Sequence, residues 1–183
     1  MALNNDKVEV IALVGGGHVA SFRFAGRGPN LLFESPWTTI DPQTYRDAHE
    51  GGKPGASGIG RYLSGFTGHT LALGYYGPPS KTGAKAGLPF HGEAAGNAWQ
   101  VKKVSGGSSA KVVMEVHLPA SELKFTREIE LRAGESFARI RETVSNERQS
   151  ENFFQWVECA TFGEPLLTPK VSVVSIPGFR GQT

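Results

Sequence analysis

The chain has 183 residues, of which 39% are hydrophobic and 20% charged, a composition that supports one globular domain with a sizeable core. Nineteen Lys and Arg against 17 Asp and Glu leave a formal charge of +2, with no basic stripe that would track phosphates, which argues against nucleic acid as a partner. The single cysteine, Cys159, excludes an internal disulfide framework and a cysteine-based zinc site.

A reducing compartment follows from that cysteine usage. No basic segment followed by an apolar core opens the chain, and no run of about 18 apolar residues occurs, so a soluble cytoplasmic protein without a membrane partner is expected.

Two strands, residues 8–14 and 18–24, are expected at the N-terminus around the Gly15-Gly16-Gly17 turn, with further sheet at Asn30-Leu31-Leu32-Phe33. Residues 35–69 and 77–97 carry no clear period of two. Loops of that length are uncommon unless functional or disordered. Their anchors (Trp37, Tyr45, Arg46, His49, Arg61, Tyr62, Phe90, His91, Glu93) argue for ordered loops over linkers.

Within the second loop, Leu88-Pro89-Phe90-His91-Gly92-Glu93, closed by Trp99, is the most informative segment. In an extended backbone His91 and Glu93 point to one face, beside a glycine that lets the chain approach a ligand. They can hydrogen-bond sugar hydroxyls or, together with His69 or His117, ligate a metal. The plainer alternative is a loop histidine capping a carbonyl, with Glu93 solvated.

From Ala98 onward a meander is expected: residues 98–104, Ala110–Leu118, Leu123–Leu131, 136–144 and 152–159. Val112, Met114, Val116 and Leu118 alternate with Lys111, Glu115 and His117, the signature of a half-buried antiparallel strand. In the last strand Phe154, Trp156 and Glu158 share one face, an aromatic row ended by an acid that suits the apolar faces and polar edges of a pyranose ring. Phe153, Gln155, Val157 and Cys159 share the other, so Glu158 rather than Cys159 is expected to present the reactive side chain. The alternative is a core strand with Glu158 at its wet end. A final strand is expected over residues 171–176, with an unpaired edge open to self-association. The fold class is therefore all-β, a single antiparallel β-sandwich over residues 1–183, with no internal repeat. Lys81, Lys85, Lys102 and Lys103 can meet a phosphate on a sugar, but read first as solvated surface charges.

The glycine-turn strand pair leading to Asn30-Leu31-Leu32, the Pro89-x-His91-Gly92 loop with Trp99, Thr143-Val144-Ser145-Asn146, and Trp156-x-x-Cys159-x-x-Phe162-Gly163-x-Pro165 resemble, in this order, the N-terminal part of the galactose mutarotase-like (aldose 1-epimerase-like) superfamily. That resemblance implies a large antiparallel sandwich holding a sugar, and an isomerase reaction that interconverts anomers. A glutamate takes the anomeric proton while a histidine protonates the ring oxygen. It places His91 as a sugar-hydroxyl contact and Arg61 as a loose match to a ligand-binding arginine, and it calls for no cofactor.

Two departures bear on activity. Cys159 stands where the general-acid histidine belongs, and no glutamate follows Glu164. The site expected is His91, Glu93, Arg61, Trp99 and Trp156 for a small sugar or sugar derivative, with Glu158 the catalytic candidate. A non-catalytic glycan-binding or interaction domain is the second reading. A metal-dependent cupin-type enzyme using His69, His91, Glu93 and His117 is the third.

Overall fold

A computed structural model describes residues 1–26, 28–45 and 59–175. Two antiparallel sheets face each other. The first has the order β1-β2-β3-β4-β9 and comprises β1 (Ala2–Asn4), β2 (Val8–Ala12), β3 (Val19–Phe24), β4 (His69–Gly74) and β9 (Gln155–Ala160). The second is a simple meander, β5 (Gln100–Ser105), β6 (Ala110–Leu118), β7 (Leu123–Leu131) and β8 (Arg139–Asn146). Two short helices, α1 (Gly60–Ser64) and α2 (Lys81–Lys85), and a 3-10 turn at Ala94–Gly96 interrupt the long loops. The all-β sandwich expected from turn spacing is the observed architecture. Among the described residues no helix is long and apolar enough to cross a membrane.

The period-two pattern places the core. Alternate residues of β6 (Val112, Met114, Val116, Leu118) and β7 (Leu123, Phe125, Ile129, Leu131) are buried against Val8, Val10, Ala12, Leu71 and Leu73 of the other sheet. Each of these Val, Leu, Ile, Phe and Met side chains contributes about 1.5–3 kcal/mol on burial.

Several expectations need correction. The fifth strand of the meander leaves its sheet: β9 crosses over and pairs with β4, from His69↔Ala160 to Gly74↔Gln155. β4 itself escapes pattern reading because Thr70, Leu71, Ala72 and Leu73 are all buried, so its outward positions, Thr70 and Ala72, carry no exposed or charged residue. Leu32 forms only an isolated bridge to Phe162. Val171 to Ser175 lie in no strand, and Val171 and Val173 are exposed, since no neighbour is in register to pair with them. Arg46, His49 and Ile176 lie outside the described residues.

The two sheets are tied at one end by Asn5. Its Nδ2 donates to the carbonyls of Arg132 (2.5 Å) and Glu135 (2.9 Å), while its Oδ1 accepts from the N–H groups of Lys7 (3.2 Å) and Val8 (3.0 Å). The β1–β2 turn is thus fastened to the β7–β8 turn. Truncation would strand buried donors and acceptors, each costing about 1–3 kcal/mol. Asn5→Ala is expected to lower unfolding free energy by about 2–4 kcal/mol, read by urea titration. A loss below about 0.5 kcal/mol would show that the link carries no stability.

Candidate functional site

The β4–β9 register decides which side chains can meet. Thr70↔Cys159 and Ala72↔Val157 share the outer face of the first sheet, whereas Leu71↔Glu158 and Leu73↔Trp156 share the face turned towards the second sheet. Helix α1 lies over the outer face, where the Tyr62 hydroxyl and Thr70 Oγ1 are 3.1 Å apart. Burial raises the pKa of Tyr62 and of Cys159, the Thr70 hydrogen bond opposing it at both groups.

His91 stands on this same side. Its ring stacks on Tyr76 (centroids 4.4 Å), meets Phe90 at 4.0 Å and takes the edge of Tyr62 at 4.8 Å. The Gly77 N–H donates to His91 Nδ1 at 2.9 Å. A backbone N–H can only donate, so Nδ1 is the acceptor nitrogen and the ring proton sits on Nε2. Burial lowers the His91 pKa, which favours this neutral donor form. The loop is held by Gly92 (φ 78°): a Cβ there would overlap the Leu73 carbonyl oxygen, so the His-Gly pair lies against the end of β4.

Beside His91 a cavity of about 180 Å³ is lined by Arg61, Tyr62, Pro89, Phe90, Gly92 and Gly96, among others. It is smaller than the ~300–1,000 Å³ of ordinary ligand clefts, which suits a small polar ligand. Among the described residues no carboxylate lines it. The Arg61 stem packs along the Gly96 wall, 3.6 Å from where a Cβ would sit, and its guanidinium forms no ion pair with the described residues.

The other expected residues go elsewhere. The shared face of His91 and Glu93 does not form, because His91 (φ 63°) and Gly92 take left-handed conformations in place of an extended strand. The Glu93 carboxylate accepts from the N–H groups of Ala120 (3.2 Å) and Ser121 (2.8 Å) and from Ser121 Oγ (2.8 Å), pinning the β6–β7 turn. Trp99 is buried behind the loop, its Nε1 donating to the Ala94 carbonyl at 3.1 Å, and it has no ligand-facing surface.

Trp156 and Glu158 face the sandwich interior. Glu158 meets His69 Nε2 at 2.8 Å, Arg127 at 3.4 Å and Trp156 Nε1. Burial alone would raise its pKa. Hydrogen bonds from His69, Glu142 and Trp156, with the Arg127 charge, outweigh burial and hold it at about 2. Its neighbour Glu142, 2.5 Å from Arg127 Nε, is pushed upward by burial and by the Glu158 charge.

The four ligands of the cupin-type reading do not converge. His69 is on the inner face, His91 on the outer, Glu93 under a turn, and His117 on the exposed surface beside Glu115 and Glu147. Among the described residues no group of three His, Cys, Asp or Glu side chains is placed to hold a metal ion. No protein-family model, curated protein or solved structure matches the chain.

Sequence reasoning overlooked Arg127, Glu142 and His18. His18 is 2% exposed, and neither ring nitrogen has a hydrogen-bond partner among the described residues. Burial first, then the Arg127 and His69 charges, lower its pKa to about 4, against a smaller opposing effect of Asp41. The unfolded chain takes up this proton near pH 6.5, while the folded chain resists until near pH 4, so the unfolded state binds more protons in between. Stability is therefore expected to fall by about 3 kcal/mol as pH drops from 6.5 to 4. Urea titrations across that window on wild type and His18→Phe test this. An equal slope in both proteins would rule His18 out as the source.

Proposed function

We propose that the chain is a carbohydrate-binding, aldose 1-epimerase-like domain that takes a small sugar on the outer face of its first sheet and does not accelerate anomer exchange. The observation that carries this is the meeting of His91, Arg61, Tyr62, Thr70 and Cys159 around one side of α1, although they are scattered over about 100 positions of sequence. The residues that resemble the mutarotase-like sugar contacts, His91 and Arg61, and the position that resembles its acid, Cys159, lie on one face.

Chemically the pocket recognises and does not react. The rings of Tyr62 and Phe90 offer faces for pyranose C–H groups, as aromatic side chains pair an apolar body with a polar tip. Arg61 donates to hydroxyl or ring oxygens, while the buried His91, packed against Tyr62 and Phe90, holds those two rings in place. Ring opening needs one group to remove a proton and another to deliver it, each contributing about 10²–10⁴-fold. Among the described residues the cavity holds no carboxylate base, and a thiol raised by burial is a poor acid at neutral pH. Glu158 cannot substitute from the opposite face of β9.

Saturation-transfer NMR with methyl α-galactoside is expected to show contact at the sugar C–H groups, lost in Arg61→Ala and in His91→Ala. Optical rotation of freshly dissolved α-galactose is expected to decay at the buffer rate. The absence of saturation transfer at millimolar sugar would remove the sugar reading. Decay well above the buffer rate that disappears in His91→Ala would make the chain an enzyme.

A further inference from the structure

The sandwich is open along one side. β8 pairs only with β7, and β9 only with β4, so each presents an unpaired edge among the described residues. Between these edges the inner-face side chains form three successive levels. Ile140 and Ala160 make the first, Glu142 and Glu158 the second, and Val144 and Trp156 the third, each set by its register with buried partners in β7 and β4.

The levels differ in chemistry. At the first lies an apolar cavity of about 240 Å³, lined by Val19, Phe22, His69, Phe137, Ile140 and Ala160 among others. At the second, two carboxylates share one buried guanidinium, Arg127. At the third, Trp156 packs edge-on against Phe125 (5.4 Å) yet stays 41% exposed. Inner-face positions repeat every two residues, about 6.6–6.8 Å along a strand.

We propose that this open side is a docking site for an extended segment of another protein that carries apolar, basic and apolar side chains at alternate positions. A strand of about five residues spans all three levels. Its backbone pairs with the free edge of β8, as in strand addition to an exposed sheet edge. Its first apolar side chain enters the cavity beside Ile140, and its last covers Trp156. The central Lys or Arg reaches Glu142 and Glu158.

Charge selects this occupant. The groups facing the second level are Arg127 from β7, Glu142 from β8, His69 from β4, and Glu158 with the Trp156 indole N–H from β9. Arg127 is already hydrogen-bonded to the Gly17 carbonyl at 2.5 Å, so one guanidinium serves two carboxylates and a carbonyl. Glu142 and Glu158 also hydrogen-bond to each other, so one proton lies between them, and a cation supplied from outside takes that proton's place. This proposal is independent of the sugar reading, because Arg61 and His91 lie on the opposite face.

The probe is a fluorescein-labelled, end-capped peptide Thr-Val-Thr-Lys-Thr-Leu-Thr, titrated with the full chain by fluorescence anisotropy. Saturable binding is expected, weakened at least tenfold when norleucine replaces the lysine and lost when proline replaces the central threonines. Glu158→Gln is expected to weaken it at least tenfold while leaving saturation transfer to methyl α-galactoside unchanged. Equal affinity for the lysine and norleucine peptides would overturn the proposal without touching the protein's fold. So would absence of binding at millimolar peptide, or self-association by sedimentation that excess peptide does not disperse.

Discussion

The fold is organised around one buried cation. Arg127 sits in the middle of β7 on its core face, is 0% exposed, and reaches from the second sheet to the first. Its Nη1 donates to the Gly17 carbonyl, its Nε to Glu142 at 2.5 Å, and its plane lies 5.1 Å from the Trp99 ring centroid and 5.7 Å from that of Phe125. A guanidinium taken out of water is costly unless its donors are engaged, and removing one partner of a buried ion pair costs about 3–5 kcal/mol. Strand order, the glycine turn and both edge strands must therefore agree about where Arg127 goes. It makes these sheets a matched pair, not two apolar layers free to slide.

The Gly15-Gly16-Gly17 turn serves that cation. A Cβ at Gly17 would overlap the indole of Trp99, so glycine lets the turn press on Trp99 while presenting its carbonyl to Arg127. Trp99 in turn donates to Ala94, which fixes the 3-10 turn and, through Glu93, the β6–β7 connection. Two of the residues that looked most like ligand contacts, Trp99 and Glu93, are thus the fasteners of the loop that carries His91. Residues of one motif divide between those displayed by a loop and those that hold it, and spacing alone does not separate them.

What was legible in the residues follows physical lines. β6 and β7 alternate cleanly because each has one core face and one charged outer face. β4 was illegible because it is buried on both faces. Arg127 was hidden by the same rule that revealed β7: in Phe125-x-Arg127-x-Ile129 a charge occupies an apolar register position, and only the partners brought in from β8, β9 and the glycine turn show that it belongs there. The alternation in β9 correctly separated Glu158 from Cys159, and the register shows the consequence: they serve different faces. His91 and Glu93 failed the same test because positive φ at His91 and Gly92 abolishes the period of two.

An exposed sheet edge with apolar inner residues is a template for aggregation, and natural proteins blunt such edges with inward-pointing charges. Glu142 and Glu158 are that device, one on each of two edge strands among the described residues, at the same level. Their position sets up a discrimination as well as a protection. An apolar strand arriving at the opening would bury the Glu142–Glu158 pair against hydrocarbon, and an acidic one would add repulsion, each unfavourable by the cost of a desolvated polar or charged group. Only a strand with a cation at the middle level escapes both penalties. The same two carboxylates thus serve both the protection of the open side and the proposed choice of what closes it.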